Sequence, residues 1–197
     1  MPSASATHVR EYFGVRTLLA AHPDMRRLKR ATKATHLHGN KLWGSAYLLI
    51  DYLRENPLPT ASKVLDLGCG WGLASIYCAK YLNADVSAMD ADSAVFPYLS
   101  LLAEHNDVAI NTQIARFNEL SGEELAQYDT IIASDICFWD EMSEEVFDLI
   151  HRAVEAGVKK IIIADPHRPP FLAVAEACID DFFAGLIPRE ATTSRHH

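Results

Sequence analysis

The chain has 197 residues, 49% of them hydrophobic and 22% charged, with a formal net charge of −8 at pH 7. That length suits one domain with a sizeable core, and the composition is globular rather than disordered or fibrous. The acidic balance argues against general nucleic-acid binding, because a surface that tracks phosphates needs excess Lys and Arg. No apolar run approaches the roughly 20 residues that span a bilayer, and the N-terminus lacks the features of a secretory signal. Cys69, Cys78, Cys137 and Cys178 are widely spaced with no C-x-x-C pair, which fits free thiols in a reducing cytoplasm. His36 and His38 have no third ligand in view, so no metal site is expected there. The expectation is a cytoplasmic protein with no membrane and no nucleic-acid partner.

Residues 7–33 read as helical, broken near His22-Pro23-Asp24 because proline disfavours helix at the residue before it. Asp24 is placed to cap the second piece. The basic run Arg26, Arg27, Lys29, Arg30 and Lys33 reads as a solvated helix face. His36 to Lys41 reads as loop. Apolar positions 43, 46, 47, 49, 50 and 53 have helical spacing, so a helix is expected over Trp43–Leu53, stopped by Asn56-Pro57 and Pro59. From residue 63 strands and helices alternate. Strands are expected at Lys63–Leu67, Asp85–Met89, Asn111–Phe117, Thr130–Ser134 and Lys159–Ala164. Helices are expected at Leu73–Leu82, Ser93–His105 with Ser93 as cap, Ser121–Gln127, Ser143–Ala156 and Phe171–Phe183.

Repeating β-α units predict an α/β domain with a doubly wound, mostly parallel sheet and helices on both faces. Residues 1–42 form an N-terminal helical extension in this reading, 43–183 the core and 184–197 a short tail of one domain. In such sheets ligands bind beyond the carboxyl ends of the strands, where strand order reverses. That places candidate site residues at 66–72, 90–92, 116–118 and 135–140.

The first core strand runs into Asp66-Leu67-Gly68-Cys69-Gly70-Trp71-Gly72 and then a helix. Glycine lets the backbone turn tightly and approach a ligand without a Cβ in the way, and the helix aims its N-terminal N–H groups at the same space. A dinucleotide loop would need G-x-G-x-x-G, but the spacing is G-x-G-x-G with Leu73 at the third dinucleotide glycine. A P-loop is excluded because no G-K-[ST] follows. S-adenosylmethionine (SAM) has an ammonium and no phosphate, so Asp66 suits it where a pyrophosphate site would avoid an acid. Asp90 ends the second strand, before Ala91-Asp92, where a carboxylate can accept hydrogen bonds from ribose hydroxyls. Asp92 is a turn residue placed to cap the next helix.

Residues 40–170 resemble the class I SAM-dependent methyltransferases. The resemblance implies that Asp66, Gly68, Gly70 and Gly72 wrap the methionine end of SAM, that Asp90 holds the ribose, and that Phe117 or Asn118 holds adenine. The fourth strand ends in Asp135-Ile136-Cys137-Phe138-Trp139-Asp140. Methyl transfer needs an acceptor lone pair in line with the methyl, and positioning carries most of the catalysis. A carboxylate with two aromatics beyond a strand end suits an amine acceptor.

This segment also resembles the D-x-x-[FY] motif of the seven-β-strand protein-lysine methyltransferases, a group that includes the methylase of the electron transfer flavoprotein beta subunit. Bacterial relatives of that enzyme are described as nicotinamide N-methyltransferases. Trp43-Gly44-Ser45 opens a helix ahead of the first core strand, as a Trp does in that group. Asp165-Pro166-His167-Arg168-Pro169 is similar to its D-P-G-R-P, with His167 in place of Gly. The resemblance implies catalytic roles for Asp135, Phe138 and Trp139, and cofactor contacts from Trp43, Ala91 and Asp135.

The resembling fold has seven strands, the last two a hairpin, but only 14 residues follow Phe183. One short strand fits at Ala191–Arg195. Either the sequence is truncated or the sheet ends early and leaves an edge; exposed edges invite pairing, so a homodimer is an expectation that a monomeric mass by light scattering would refute. Three functions compete: methylation of a protein lysine, favoured by acidic Asp140, Glu141, Glu144 and Glu145 at the site mouth; methylation of a small amine or nicotinamide-like ring stacked on Phe138 and Trp139; or SAM binding without turnover.

Overall fold

The computed structural model describes residues 8–32 and 42–190. Lys33, His36 and His38, the loop expected at His36–Lys41 and the strand expected at Ala191–Arg195 lie outside the described residues. The first correction comes at the N-terminus, where the expected helix is a hairpin of β1 (Val9–Tyr12) and β2 (Val15–Leu18). Its two-residue turn holds Phe13 at φ 50° and Gly14 at φ 80°. Two positive φ values give the turn the twist of the flanking strands. Val15 and Leu18 are buried in the core, so tertiary burial outweighs the local helical pattern.

Helix α1 (Pro23–Ala31) starts with proline in its first turn, where a missing N–H costs nothing. Its cap is His22, whose Nδ1 accepts from the Asp24 N–H at 3.3 Å. Asp24 therefore sits in the first turn rather than at the cap, and pairs with Arg27 at 3.1 Å. Arg26, Arg27, Lys29 and Arg30 are exposed, as a solvated face requires. The hairpin is tied to the rest of the fold by Asn106, which is buried. Its side-chain amide accepts from Arg16 N at 2.8 Å and donates to Arg16 O at 2.8 Å.

The core follows as α2 (Ser45–Glu55), β3 (Lys63–Leu67), α3 (Leu73–Tyr81), β4 (Asp85–Asp90), α4 (Phe96–Glu104), β5 (Asn111–Ile114), α5 (Gly122–Leu125), β6 (Thr130–Ser134), α6 (Asp140–Glu155), β7 (Lys160–Ala164) and α7 (Pro169–Phe182). The five core strands are parallel in the order β5-β4-β3-β6-β7. The chain leaves β3 toward β4 and returns to β3's other side at β6, which puts the strand-order reversal at the carboxyl end of β3. Alternate residues face opposite sides: Val64 and Ile132 join the core under α2, α3 and α4, while Leu65, Leu67, Ile131 and Ala133 join the core under α6 and α7.

Three boundaries shift by three residues, and others by one or two. The third core strand stops at Ile114, and Phe117–Glu119 forms a 3₁₀ turn instead. The helix after β4 opens with a 3₁₀ turn, Ser93–Val95, capped by Asp92 through Ala94 N at 3.0 Å, so Asp92 takes the role assigned to Ser93. Helix α6 begins three residues before Ser143, with Trp139 at its N-cap and Asp140 and Glu141 complementing its dipole. Beside β7 the described residues place no further strand. Its open edge borders a hollow of about 470 Å³ lined in part by Leu49, Ile161, Ile163, Phe171 and Leu186. Arg189 fastens the following segment to α2, bonding Glu55 at 2.5 Å and lying 5.1 Å over the Tyr52 ring.

Candidate cofactor and acceptor site

A second cavity, about 240 Å³, opens where the strand order reverses, and it is smaller than the hollow at β7. We place the site in it because it gathers the strand-end residues: Trp43, Gly68, Gly70, Asp90, Ala91, Phe117, Asp135, Phe138 and Trp139 all line it. Asp66, Gly72 and Asn118 do not.

The loop after β3 is built from three left-handed glycines, Gly68, Gly70 and Gly72, at φ 63°, 52° and 72°. L-residues avoid that region, so the path needs glycine. A Cβ on Gly68 would lie 2.8 Å from Ile136, and one on Gly72 would lie 2.7 Å from Leu99. Over Gly70 there is open space within 4 Å, and Gly70 is one of the residues that line the cavity. The loop is pinned by Cys69 N to Met89 O at 3.0 Å and Gly72 N to Cys69 O at 2.8 Å.

Asp90 splints this loop to the end of β4. One carboxylate oxygen accepts from Gly70 N at 3.0 Å, the other from Asp92 N at 2.9 Å. Burial raises its pKa, while those two hydrogen bonds lower it. Each oxygen keeps a second lone-pair direction, which leaves room for hydroxyl donors from a ligand in the cavity. Asp66 lies deeper, 3% exposed, accepting from Ser75 Oγ at 2.5 Å. Burial pushes its pKa up to about 7 despite that bond. A glycine cradle with no Cβ over the cavity, flanked by two carboxylates, fits a ligand that offers an ammonium and a diol.

The other end of the cavity is set by Asp135, 5% exposed and held at φ 58°. A non-glycine residue there stores strain that the surroundings must hold, a pattern that clusters at functional sites. Both its oxygens are engaged. Oδ2 accepts from Ser45 N at 3.0 Å, and Oδ1 accepts from Arg168 Nη2 at 2.6 Å. Arg168 also donates to Asp165 through Nη1 at 2.7 Å and through its backbone N at 2.8 Å. Its guanidinium lies 4.3 Å from the Phe138 ring centre and 5.9 Å from that of Trp43. Trp43 and Phe138 meet edge to face at 5.2 Å. Trp139 is 42% exposed at the rim, beside Glu141 and Glu145. Ser45 Oγ is buried next to Asp135 with no hydrogen-bond partner among the described residues.

The sequence reading misses Arg168, the residue that joins Asp135 to Asp165. The signal was available: two buried acids at neighbouring strand ends need a cation, and Arg168 stands three residues after Asp165. His167 adopts φ 64°, a left-handed conformation that glycine takes without strain, which accounts for glycine at that place in the similar D-P-G-R-P.

Comparison with known proteins agrees with this geometry. Residues 64–157 match the family described as a methyltransferase domain. The electron transfer flavoprotein beta subunit lysine methyltransferase of Xenopus laevis is 28% identical over 131 residues, 66% of this chain and 52% of that protein. The ubiquinone biosynthesis O-methyltransferase of Xanthomonas axonopodis pv. citri is 26% identical over 145 residues, 71% of this chain and 58% of that protein. The chain thus spans about half the length of the curated relatives it matches. Among solved structures, a Pyrococcus abyssi tRNA (uracil-54, C5)-methyltransferase with bound S-adenosyl-L-homocysteine superposes with TM-score 0.56 at 18% identity, covering 86% of this chain and 36% of the other. At that identity the likeness speaks for the fold. Strand order and glycine loop agree with that match: the sheet is Rossmann-like, and residues 64–157 are similar to a methyltransferase domain of the SAM-dependent kind.

Proposed function

We propose that the protein is a SAM-dependent N-methyltransferase whose acceptor is a lysine side chain of another protein. The carrying observation is the aromatic-lined carboxylate: Asp135, Phe138, Trp43 and Trp139 stand around one end of the cavity whose other end is the Gly68–Gly70 loop and Asp90. When bound, SAM supplies an electrophilic methyl group. The glycine loop and Asp66 hold its amino-acid end in this reading, Asp90 accepts from its ribose, and Phe117 packs on its adenine. Ile136 and Phe138 screen the reacting end from water. Asp135 accepts a hydrogen bond from the incoming amine, and the aromatic faces orient it with its lone pair toward the methyl. The amine must arrive neutral, so the carboxylate serves to bind and to hold the methylated ammonium that leaves. Acidic Glu141 and Glu145 at the rim favour a basic protein surface. The two lysine methyltransferases matched here, from Xenopus laevis and Danio rerio, support the choice of acceptor.

A second reading, a ring-shaped small acceptor stacked on Trp139, is favoured by that side chain's exposure at the rim. Incubation of the protein with radiolabelled SAM and a cell extract separates the readings. Label recovered as methyllysine after acid hydrolysis supports the proposal. Label confined to small molecules supports the second reading, and label on protein only at other residues refutes the lysine assignment.

A further inference from the structure

The most unusual feature beside the cavity is a cation that is already there. The Arg168 guanidinium is bound by two carboxylates, at 2.6 Å from Asp135 and 2.7 Å from Asp165, and rests 4.3 Å over the Phe138 ring with Trp43 as a second aromatic neighbour at 5.9 Å. Acid plus aromatic faces is the chemistry that recognises an alkylammonium. The acceptor reading assigns Asp135, Phe138 and Trp43 to the substrate, yet all three already contact a cation of the chain itself. Both cannot hold the same place at full strength.

We propose that Arg168 is an internal competitor for the acceptor's cation: an alkylammonium enters the cage of Asp135, Phe138 and Trp43 by displacing the guanidinium from Asp135. Arg168 remains anchored while this happens. Its backbone N–H and Nη1 stay bonded to Asp165, so only the Nη2 bond to Asp135 and the ring contact are exchanged. Ser45 N keeps hold of the other Asp135 oxygen, and the buried Ser45 Oγ beside it can accept from the incoming ammonium. The competition makes the cage selective. A weakly anchored amine replaces the guanidinium only at high concentration, and a neutral ring, with no charge to offer Asp135, gains less still. A lysine delivered on a docked protein surface gains the rest of its contacts and does replace it. The inference rests on the acceptor reading of this end of the cavity, and it names Arg168 as a specificity-determining residue.

The probe is n-butylammonium, titrated into the full chain and followed by calorimetry, with fluorescence of the Trp43 side as a second readout. Arg168→Ala removes the guanidinium from Asp135 and Phe138 and is expected to bind the probe about tenfold or more tightly than the wild type, as removal of a cation-π and carboxylate-bonded rival implies. Arg168→Met, which retains the packing of the stem, serves if the alanine variant does not fold. Arg168→Lys keeps a tethered cation and should behave like the wild type. Adding Phe138→Ala to Arg168→Ala should abolish the gain. In the wild type, the side-chain ¹⁵N signal of Arg168 should shift as the probe saturates. Equal affinity in the wild type and in a folded Arg168→Ala or Arg168→Met, or an Arg168 signal unmoved at saturation, overturns the proposal. Its failure is separable from that of the lysine reading. Methyllysine formed by a protein whose Arg168 never moves leaves the lysine reading intact, and probe binding without methyllysine leaves the cage intact.

Discussion

Gly70→Ala separates a cofactor cradle from a merely structural turn, because Gly70 and Gly72 have similar backbones but different surroundings. At Gly70, φ is 52° and nothing lies within 4 Å of a built Cβ. The substitution therefore costs the left-handed backbone alone, about 1 kcal/mol, which for a chain of this size lowers Tm by roughly 2–4 °C. At Gly72, with φ 72°, the new Cβ meets Leu99 at 2.7 Å. Overpacking adds about 1–3 kcal/mol to the same backbone cost, so Gly72→Ala should lower Tm at least about twice as far. The order reverses for SAM. Gly70 lines the cavity, so the added methyl is expected to crowd the ligand that the loop is proposed to hold. Loss of one charge-assisted contact there is worth about 1.5–3 kcal/mol, or roughly 10- to 100-fold in Kd. Scanning calorimetry and titration with SAM and S-adenosylhomocysteine measure both quantities. A Gly70→Ala variant that binds SAM like the wild type, or that melts as low as Gly72→Ala, refutes the cradle.

Asp90→Ala removes the acceptor of Gly70 N and Asp92 N as well as the proposed ribose contact, and SAM affinity should fall about 100-fold; unchanged affinity by calorimetry removes the assignment. Asp135→Asn should retain SAM binding and lose most of the transfer to protein, and full turnover in that variant would sink its acceptor role. Burial pushes Asp66 from 3.8 up to about 7, so the folded protein holds this proton in a pH range where the unfolded chain has released it. Stability therefore falls as pH rises between about 4 and 7. An ammonium in the cavity favours the carboxylate instead, so SAM affinity should rise as pH climbs through about 7, at most about tenfold per unit, and level off above. A flat profile in the wild type, or the same rise in Asp66→Asn, contradicts that link.

The strand-helix alternation was legible because the three central and edge strands β3, β6 and β7 are largely apolar runs that stop at a glycine or an acid. Val64 to Leu67 stops at Gly68, and Ile131 to Ser134 stops at Asp135. The loop's conformation was legible from spacing, since the G-x-G-x-G register sets three left-handed residues in alternation. The hairpin was not. Its turn is Phe13-Gly14 rather than the Asn-Gly that signals such turns, and its burial is supplied by helices far along the chain. Asp66 was legible as an acid placed just before the loop, but its bond from Ser75 on the following helix was not. Asp135 was legible as an acid at a strand end, but its partner was not. Its partner lies 33 residues later, brought close because β6 and β7 are neighbours in the sheet, and local patterning carries no record of that adjacency.

No residue of the N-terminal hairpin lines the cavity, yet the hairpin bears on how the glycine loop is held. Asn106 binds β2 just beyond the end of α4. Within α4, Leu99 backs Gly72, and Tyr98 stacks flat on Trp71 at 4.8 Å. The extension thus acts as a buttress: it braces the helix that fixes the shape of the loop before any ligand arrives. A loop already in its bound shape spares the ligand the entropy of ordering it. Affinity for a small molecule can in this way depend on residues 9–18, whose own contacts are all with protein.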